Sequence, residues 1–180
     1  YAADGSINEK RKTLRIHLQK QDSEIVYLYK DIISPDARTF TVEEHKTTGR
    51  KGMEVTAHES FGVDITSAEL CNSLVNLGIG YNKSYSDLHI PNIPEYLIRH
   101  FIRGYFDGDG CITGWLAIEK GKSDRVRYSF DICGKTESLL TEFIKVFNIH
   151  NITINMNYLK RDNMYRVKTT SKKEIEKLFH

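Results

Sequence analysis

Ile102-Arg103-Gly104-Tyr105-Phe106-Asp107-Gly108-Asp109-Gly110 is an apolar helical stretch ending in Asp-Gly, and a shortened version of it opens the chain as Tyr1-Ala2-Ala3-Asp4-Gly5. Ser6-Ile7 follows the first copy and Cys111-Ile112 the second. Working back from the second copy, Leu97, Ile98, Phe101, Ile102, Tyr105 and Phe106 fall at i, i+1, i+4, i+5, i+8 and i+9, a single helical stripe. Pro94 suits the first turn of that helix. Gly104 and Gly108 stand four apart, a spacing that lets a second helix approach closely, as Ala2 and Ala3 would in the first copy. Crossing of two such helices is expected to bring Asp4 and Asp109 side by side.

A carboxylate at a helix C-terminus meets the negative end of the helix dipole, and two together are worse. A divalent cation reverses that argument. Paired aspartates plus free terminal carbonyls form an oxygen-rich site suited to Mg²⁺, which lowers the pKa of a bound water and stabilises a leaving oxygen. Beside basic strands, such a site suggests attack on a phosphodiester.

The rest of the chain repeats in step. Leu14-Arg15-Ile16-His17-Leu18-Gln19-Lys20 and Val126-Arg127-Tyr128-Ser129-Phe130-Asp131-Ile132 alternate apolar and polar residues, as half-buried strands do. Each leads into a helix. The first opens near Asp22-Ser23 and is expected to bury Ile25, Val26, Leu28, Tyr29, Ile32 and Ile33; the second opens at Thr136 and buries Leu139, Leu140, Phe143, Ile144 and Phe147. Strands follow at Ile152–Leu159 and Met164–Thr170, joined across Lys160-Arg161-Asp162-Asn163. The matching region of the first half, Arg38–Ile65, is longer and carries a turn at Thr47–Gly52. Capping boxes close both halves, Thr66-Ser67-Ala68-Glu69 and Ser171-Lys172-Lys173-Glu174. Asp4 and Asp109 are 105 positions apart, Leu74 and Leu178 are 104 apart, and a tandem duplication follows. Gly78 to Pro94, punctuated by Gly and Pro, separates the halves. The expected division is 1–80 for the first half, with its leading helix upstream of residue 1, 81–93 for the linker and 94–180 for the second half.

These residues resemble the LAGLIDADG, or dodecapeptide, homing endonucleases. Ile102 to Gly110 matches the nine-residue motif, Tyr1 to Gly5 the last five positions of a first copy, and Leu77-Gly78-Ile79, Asn82-Lys83-Ser84 and Ile93-Pro94 resemble the single-chain, two-motif members. The resemblance implies an α+β fold of two pseudo-symmetric αββαββα halves, with antiparallel saddle-shaped sheets on a central pair of motif helices. It implies a monomer acting on double-stranded DNA at a long asymmetric or pseudo-palindromic site, cutting both strands to leave short 3′ overhangs. Asp4 and Asp109 would bind Mg²⁺ or Mn²⁺, with Ca²⁺ a non-catalytic substitute, and Gly5 and Gly110 would add backbone carbonyls. Lys83 and Lys168 are candidates for assisting at the phosphate or the water. The counterpart of Lys168 in the first half is Asp64, so that assistance would be asymmetric. The polar strand faces give candidate DNA contacts: Arg15, His17, Gln19, Arg127, Ser129, Asp131, Asn155, Asn157, Arg166, Lys168 and Thr170.

Composition sets the bounds. At 180 residues with 39% hydrophobic and 28% charged content, the chain has an ordinary globular make-up. Its net charge is only +2, with 12 basic and 14 acidic residues over 1–100 against 14 and 10 over 101–180. A DNA-binding surface is therefore expected as a local stripe. No apolar run approaches the length of a membrane span, and an intracellular location, in a bacterial or phage cytoplasm or an organelle, is expected. Cys71, Cys111 and Cys133 lack CxxC spacing and read as buried reduced thiols. His17, His45 and His58 lack metal-ligand spacing.

Asp107-Gly108-Asp109-Gly110-Cys111 also resembles the Asp-x-Asp-Gly-Thr start of haloacid-dehalogenase-type phosphatases. That motif follows a buried strand, whereas the periodicity here is helical, and only 70 residues follow Gly110. An EF-hand loop fails because Cys111 and Ile112 stand where a ligand and the turn glycine belong. The remaining alternative is the same fold serving as an RNA maturase or a DNA-binding regulator without cleavage. Retention of both Asp4 and Asp109 favours the nuclease.

Overall fold

The computed structural model describes residues 2–49, 52–81, 87–118 and 123–179. They divide into two compact units, residues 1–76 with 80–82, and residues 77–79 with 83–180. The first unit runs β1 (Gly5–Asn8), β2 (Thr13–Gln19), a 3₁₀ turn, α1 (Ser23–Ile33), β3 (Arg38–Val42), β4 (His45–Thr48), β5 (Glu54–Ala57), β6 (Ser60–Thr66) and α2 (Ala68–Asn76). The second runs α3 (Glu95–Asp109), β7 (Gly110–Ala117), β8 (Arg125–Gly134), α4 (Glu137–Ile149), β9 (Asn155–Leu159), β10 (Met164–Thr169) and α5 (Lys172–Lys177).

The duplication is visible in strand order. The first unit's four-stranded sheet is β1-β2-β6-β3 and the second's is β7-β8-β10-β9, with every neighbouring pair antiparallel. Register agrees as well: Gly5 faces Ile16, and Gly110 faces Ile132. The extra length between Arg38 and Ile65 is the β4–β5 hairpin, closed by Gly49 N–H donating to Met53 O at 2.8 Å.

Alternation puts Leu14, Ile16 and Val63 into the first core with Ile7, Val26, Phe61, Ile65 and Cys71. In the second unit Phe130, Ile132 and Val167 meet Leu139, Leu140, Phe143 and Phe147 of α4. Phe143 is fully buried, with Phe101 and Tyr105 of α3 edge-on to its ring at centroid distances of 6.2 and 5.4 Å. α1 departs from expectation. Only Val26 is fully buried, whereas Ile25, Leu28 and Ile32 are 58%, 62% and 73% exposed. The reason is coverage. α4 meets both its sheet and Phe101 and Tyr105 of α3, whereas among the described residues α1 contributes Val26, with Tyr29 partly buried, to the first unit's core. The far half of β8 is likewise uncovered, and Val126 and Tyr128 stand exposed on the core-side face.

Local signals shift by a residue. Pro94 sits in extended geometry just ahead of α3 instead of inside its first turn. Ser67, not Thr66, caps α2, its Oγ accepting from Leu70 N–H at 3.1 Å, because Thr66 is the last residue of β6. Ser171 caps α5 as expected, accepting from Glu174 N–H.

The segment read as linker is part of the second unit from residue 87 onward. Leu88 is buried, Ser138 donates its hydroxyl to Asp87, and Ile90 N–H donates to Glu142 Oε2 at 2.7 Å. Both nitrogens of His89 face carboxylates, Nδ1 at 2.7 Å from Glu142 and Nε2 at 3.2 Å from Asp87. Only the imidazolium donates from both nitrogens. Glu142 first, and Asp87 with it, holds the His89 pKa above its ordinary value. A histidine raised in the folded state contributes stability that is complete below about pH 6.5 and is lost as pH rises through the raised value. The urea midpoint is therefore expected to fall between pH 6 and pH 8.5, and His89→Gln should flatten that fall. No helix among the described residues is long and apolar enough to cross a membrane.

Candidate functional site

Asp4 and Asp109 occupy equivalent places, each the residue immediately before the first strand of its sheet, and both are exposed. In the second unit no loop intervenes: α3 ends at Asp109 and β7 begins at Gly110, whose N–H bonds back to Phe106 O. Gly110 is needed here for close approach. The ring of Phe106 stacks on Phe130 at 4.8 Å and passes over Gly110, so a Cβ there would lie 2.1 Å from Phe106 Cδ2 and 2.5 Å from its carbonyl oxygen. Gly110→Ala is expected to cost about 1–3 kcal/mol, measurable as a drop in the urea midpoint. Asp107 is exposed at the helix end.

The ladder positions beside the two Asp-Gly pairs are equivalent and carry opposite charges. In the first unit Ser6 faces Arg15, which faces Asp64, which faces Arg38. In the second Cys111 faces Asp131, which faces Lys168, which faces Asn155. Asp64 and Lys168 are thus counterparts in register. Arg15 grips Asp64 through two hydrogen bonds of 2.7 Å, from Nε and Nη2, and the Asp64 hydrogen bond holds the guanidinium pKa above its usual value. In the second unit Lys168 and Arg166 both approach Asp131 Oδ1 at 3.6 Å. Among the described residues that buried oxygen and Arg166 Nε have no direct hydrogen-bond partner, so the cation pair is held electrostatically instead of being locked. Burial, then Asp131, pushes the Cys133 thiol up, and Asp109 adds to the shift.

Most sequence-derived contact residues share these two polar sheet faces. Arg15, Asp64 and Arg38 line a concavity of about 720 Å³ together with Arg11 and Asp36, and His17 and Gln19 follow Arg15 on the same face of β2. Arg127, Asp131, Arg166, Lys168, Asn155 and Asn157 lie together in the second unit. Ser129 departs from its expected role: it is 3% exposed and donates its hydroxyl to Asp131, so it supports that carboxylate instead of meeting a groove. Thr170 is exposed but lies one residue past β10. Lys83 lies outside the described residues. All three cysteines are free, but Cys111 is exposed on the polar face, not buried. His45 and His58 engage Glu43 O and Glu44 and sit in no metal cluster; among the described residues no group of three or more His, Cys, Asp or Glu side chains could hold a metal ion.

Four residues on the same faces were missed. Thr113 and Trp115 alternate with Ile112 and Leu116 along β7, and that alternation was the signal for them. Arg38 was legible only through its pairing with Asp64. Phe40 was given no role from the sequence, and register places it on the polar face beside His17 and Gly62.

No family model matches the chain, and no curated protein matches it in sequence. Solved structures do. The meganuclease I-SmaMI bound to uncleaveable DNA with a TTCT central four matches with a TM-score of 0.63 at 13% identity, over 97% of this chain and 78% of that one. I-SmaMI bound to an uncleaved DNA target in the presence of calcium ions gives 0.60 at 13% identity over the same shares. The LAGLIDADG meganuclease I-AabMI bound to uncleaved DNA gives 0.59 at 13% identity, over 98% and 78%. The chain has the LAGLIDADG meganuclease fold.

Proposed function

We propose that the protein is a site-specific endonuclease that hydrolyses both strands of duplex DNA, with Asp4 and Asp109 as its metal-binding carboxylates. The observation that carries this reading is the duplicated placement of Asp-Gly at the first residue of two sheets, each presenting a polar face that carries arginines. A binding module needs no exposed acid at that point in both halves. The similarity to meganucleases bound to DNA supports DNA as the partner.

The donor set fits a hard divalent cation. Each half offers a carboxylate followed by a glycine carbonyl, and Mg²⁺ is commonly held by one or two carboxylates with water and substrate phosphate completing its shell. A related fold solved with calcium ions also supports divalent metal use. When bound, such an ion supplies water activation and stabilisation of the leaving oxygen. The protein's own residues do the rest. Arg15, Arg38, Arg127 and Arg166 neutralise phosphates or meet guanine edges, and Asn155 and Asn157 suit adenine. Lys168 is a positioned cation on the second half, steadied by Asp131, and Lys83 is a second candidate.

The test is selection from a randomised duplex library in Mg²⁺, recovering both bound and newly cut molecules. Cleavage of both strands within one family of long sites is the expected result. Recovery of duplexes that are bound yet uncut in Mg²⁺ and Mn²⁺ would replace the nuclease with a regulator, and preference for structured RNA would replace it with a maturase.

A further inference from the structure

On the first unit's polar face one apolar side chain is held in place by three polar-face neighbours. Phe40 sits on β3 in the ladder row His17–Gly62–Phe40. Gly62 gives its ring a seat, since a Cβ there would lie 2.4 Å from Phe40 Cζ and 2.8 Å from Ile16 O. The Arg15 guanidinium carbon stands 4.5 Å from the ring centroid, and Asp64 fixes that guanidinium through its two hydrogen bonds. The His17 ring, tilted by 40°, lies with its centroid 5.5 Å from that of Phe40 and is itself held by Ser60 at 2.7 Å. The result is a rigid, half-buried hydrocarbon spot among arginines and an aspartate.

Resting on the duplex-DNA reading above, we propose that Phe40 is a specificity-determining contact that reads the C5-methyl group of one thymine in the major groove. Bases inside a duplex offer a strand-borne side chain their edges, not their faces, and the thymine methyl is the one apolar group on those edges. A ring already fixed loses little freedom on contact, which favours discrimination. The equivalent row in the second unit is Cys133–Arg166–Asn157. There an amide and a guanidinium suit purine edges, so the two half-sites differ at this position and the target is asymmetric.

The experiment takes a duplex selected from the randomised library and resynthesises it with deoxyuridine at each thymine in turn, removing one methyl at a time. Wild-type protein is expected to bind about fourfold more weakly at one position, the size of one methyl group's transfer from water. Phe40→Ala should bind the thymine and uracil versions of that position equally, and Phe40→Leu should keep part of the difference. Equal wild-type binding to every uracil duplex overturns the proposal, as does a methyl effect of unchanged size in Phe40→Ala. If Phe40→Ala does not fold, the wild-type scan and Phe40→Leu decide. Binding without methyl dependence removes this inference alone, while binding to no duplex at all removes the DNA reading with it.

Discussion

Asp109→Asn is expected to lower the rate of DNA cleavage by roughly a thousandfold, the scale seen when a group stabilising developing charge is removed, while affinity for the selected duplex changes by no more than a few-fold. The asymmetry comes from where the residue sits. Asp109 is exposed at the last position of α3, so its carboxylate does not hold the core together. Removing a negative charge from a surface that meets phosphates also cannot weaken binding electrostatically. Asp4→Asn should behave alike, because Asp4 precedes Gly5 in β1 as Asp109 precedes Gly110 in β7. Rates from single-turnover cleavage, set beside affinities from gel shift, separate the two effects. Parallel loss of both would mark the aspartates as structural.

Phe143→Ala carries the largest expected effect on stability. Phe143 is fully buried on α4, touched edge-on by Phe101 and Tyr105, and its neighbours Leu139, Leu140 and Phe147 are buried too. Truncating a phenylalanine in such a place leaves a cavity and costs about 3–5 kcal/mol, which lowers Tm by roughly 10 °C for a protein of this size. The matching experiment on the first half is Leu28→Ala. Leu28 lies in the apolar stripe of α1 but is exposed, so its truncation should change the midpoint by less than about 0.5 kcal/mol. Scanning calorimetry or urea denaturation reads both.

That contrast shows what the sequence could and could not say. A stripe at helical spacing announces that a helix has an apolar face, but not whether a neighbour covers it. α4 and α1 carry similar stripes, yet α4 buries Leu139, Leu140, Phe143 and Phe147 while α1 fully buries only Val26 among the described residues. Alternation was reliable where strands are flanked by core on one side, as in Leu14, Ile16 and Val167. It was silent on Phe40, an aromatic on the polar face seated by Gly62, because a neighbour on the adjacent strand is invisible in a linear reading. Ser129 failed for the opposite reason: a small polar residue at a polar-face position is drawn into a hydrogen bond with Asp131. The Asp-Gly repeat was the most legible feature, since it depends only on what stands just before the first strand of each sheet. The inverted pair, Arg15–Asp64 against Asp131–Lys168, needed ladder register before its two members could be matched.

The account turns on whether the two motif aspartates jointly hold divalent cations at bound DNA. Calorimetric titration of Ca²⁺ into the protein–duplex complex measures this without chemistry. Ion binding in the wild-type complex, weakened by Asp4→Asn or Asp109→Asn and absent in the double variant, is the predicted result. Unchanged ion binding in the double variant, with the duplex still bound, would contradict it.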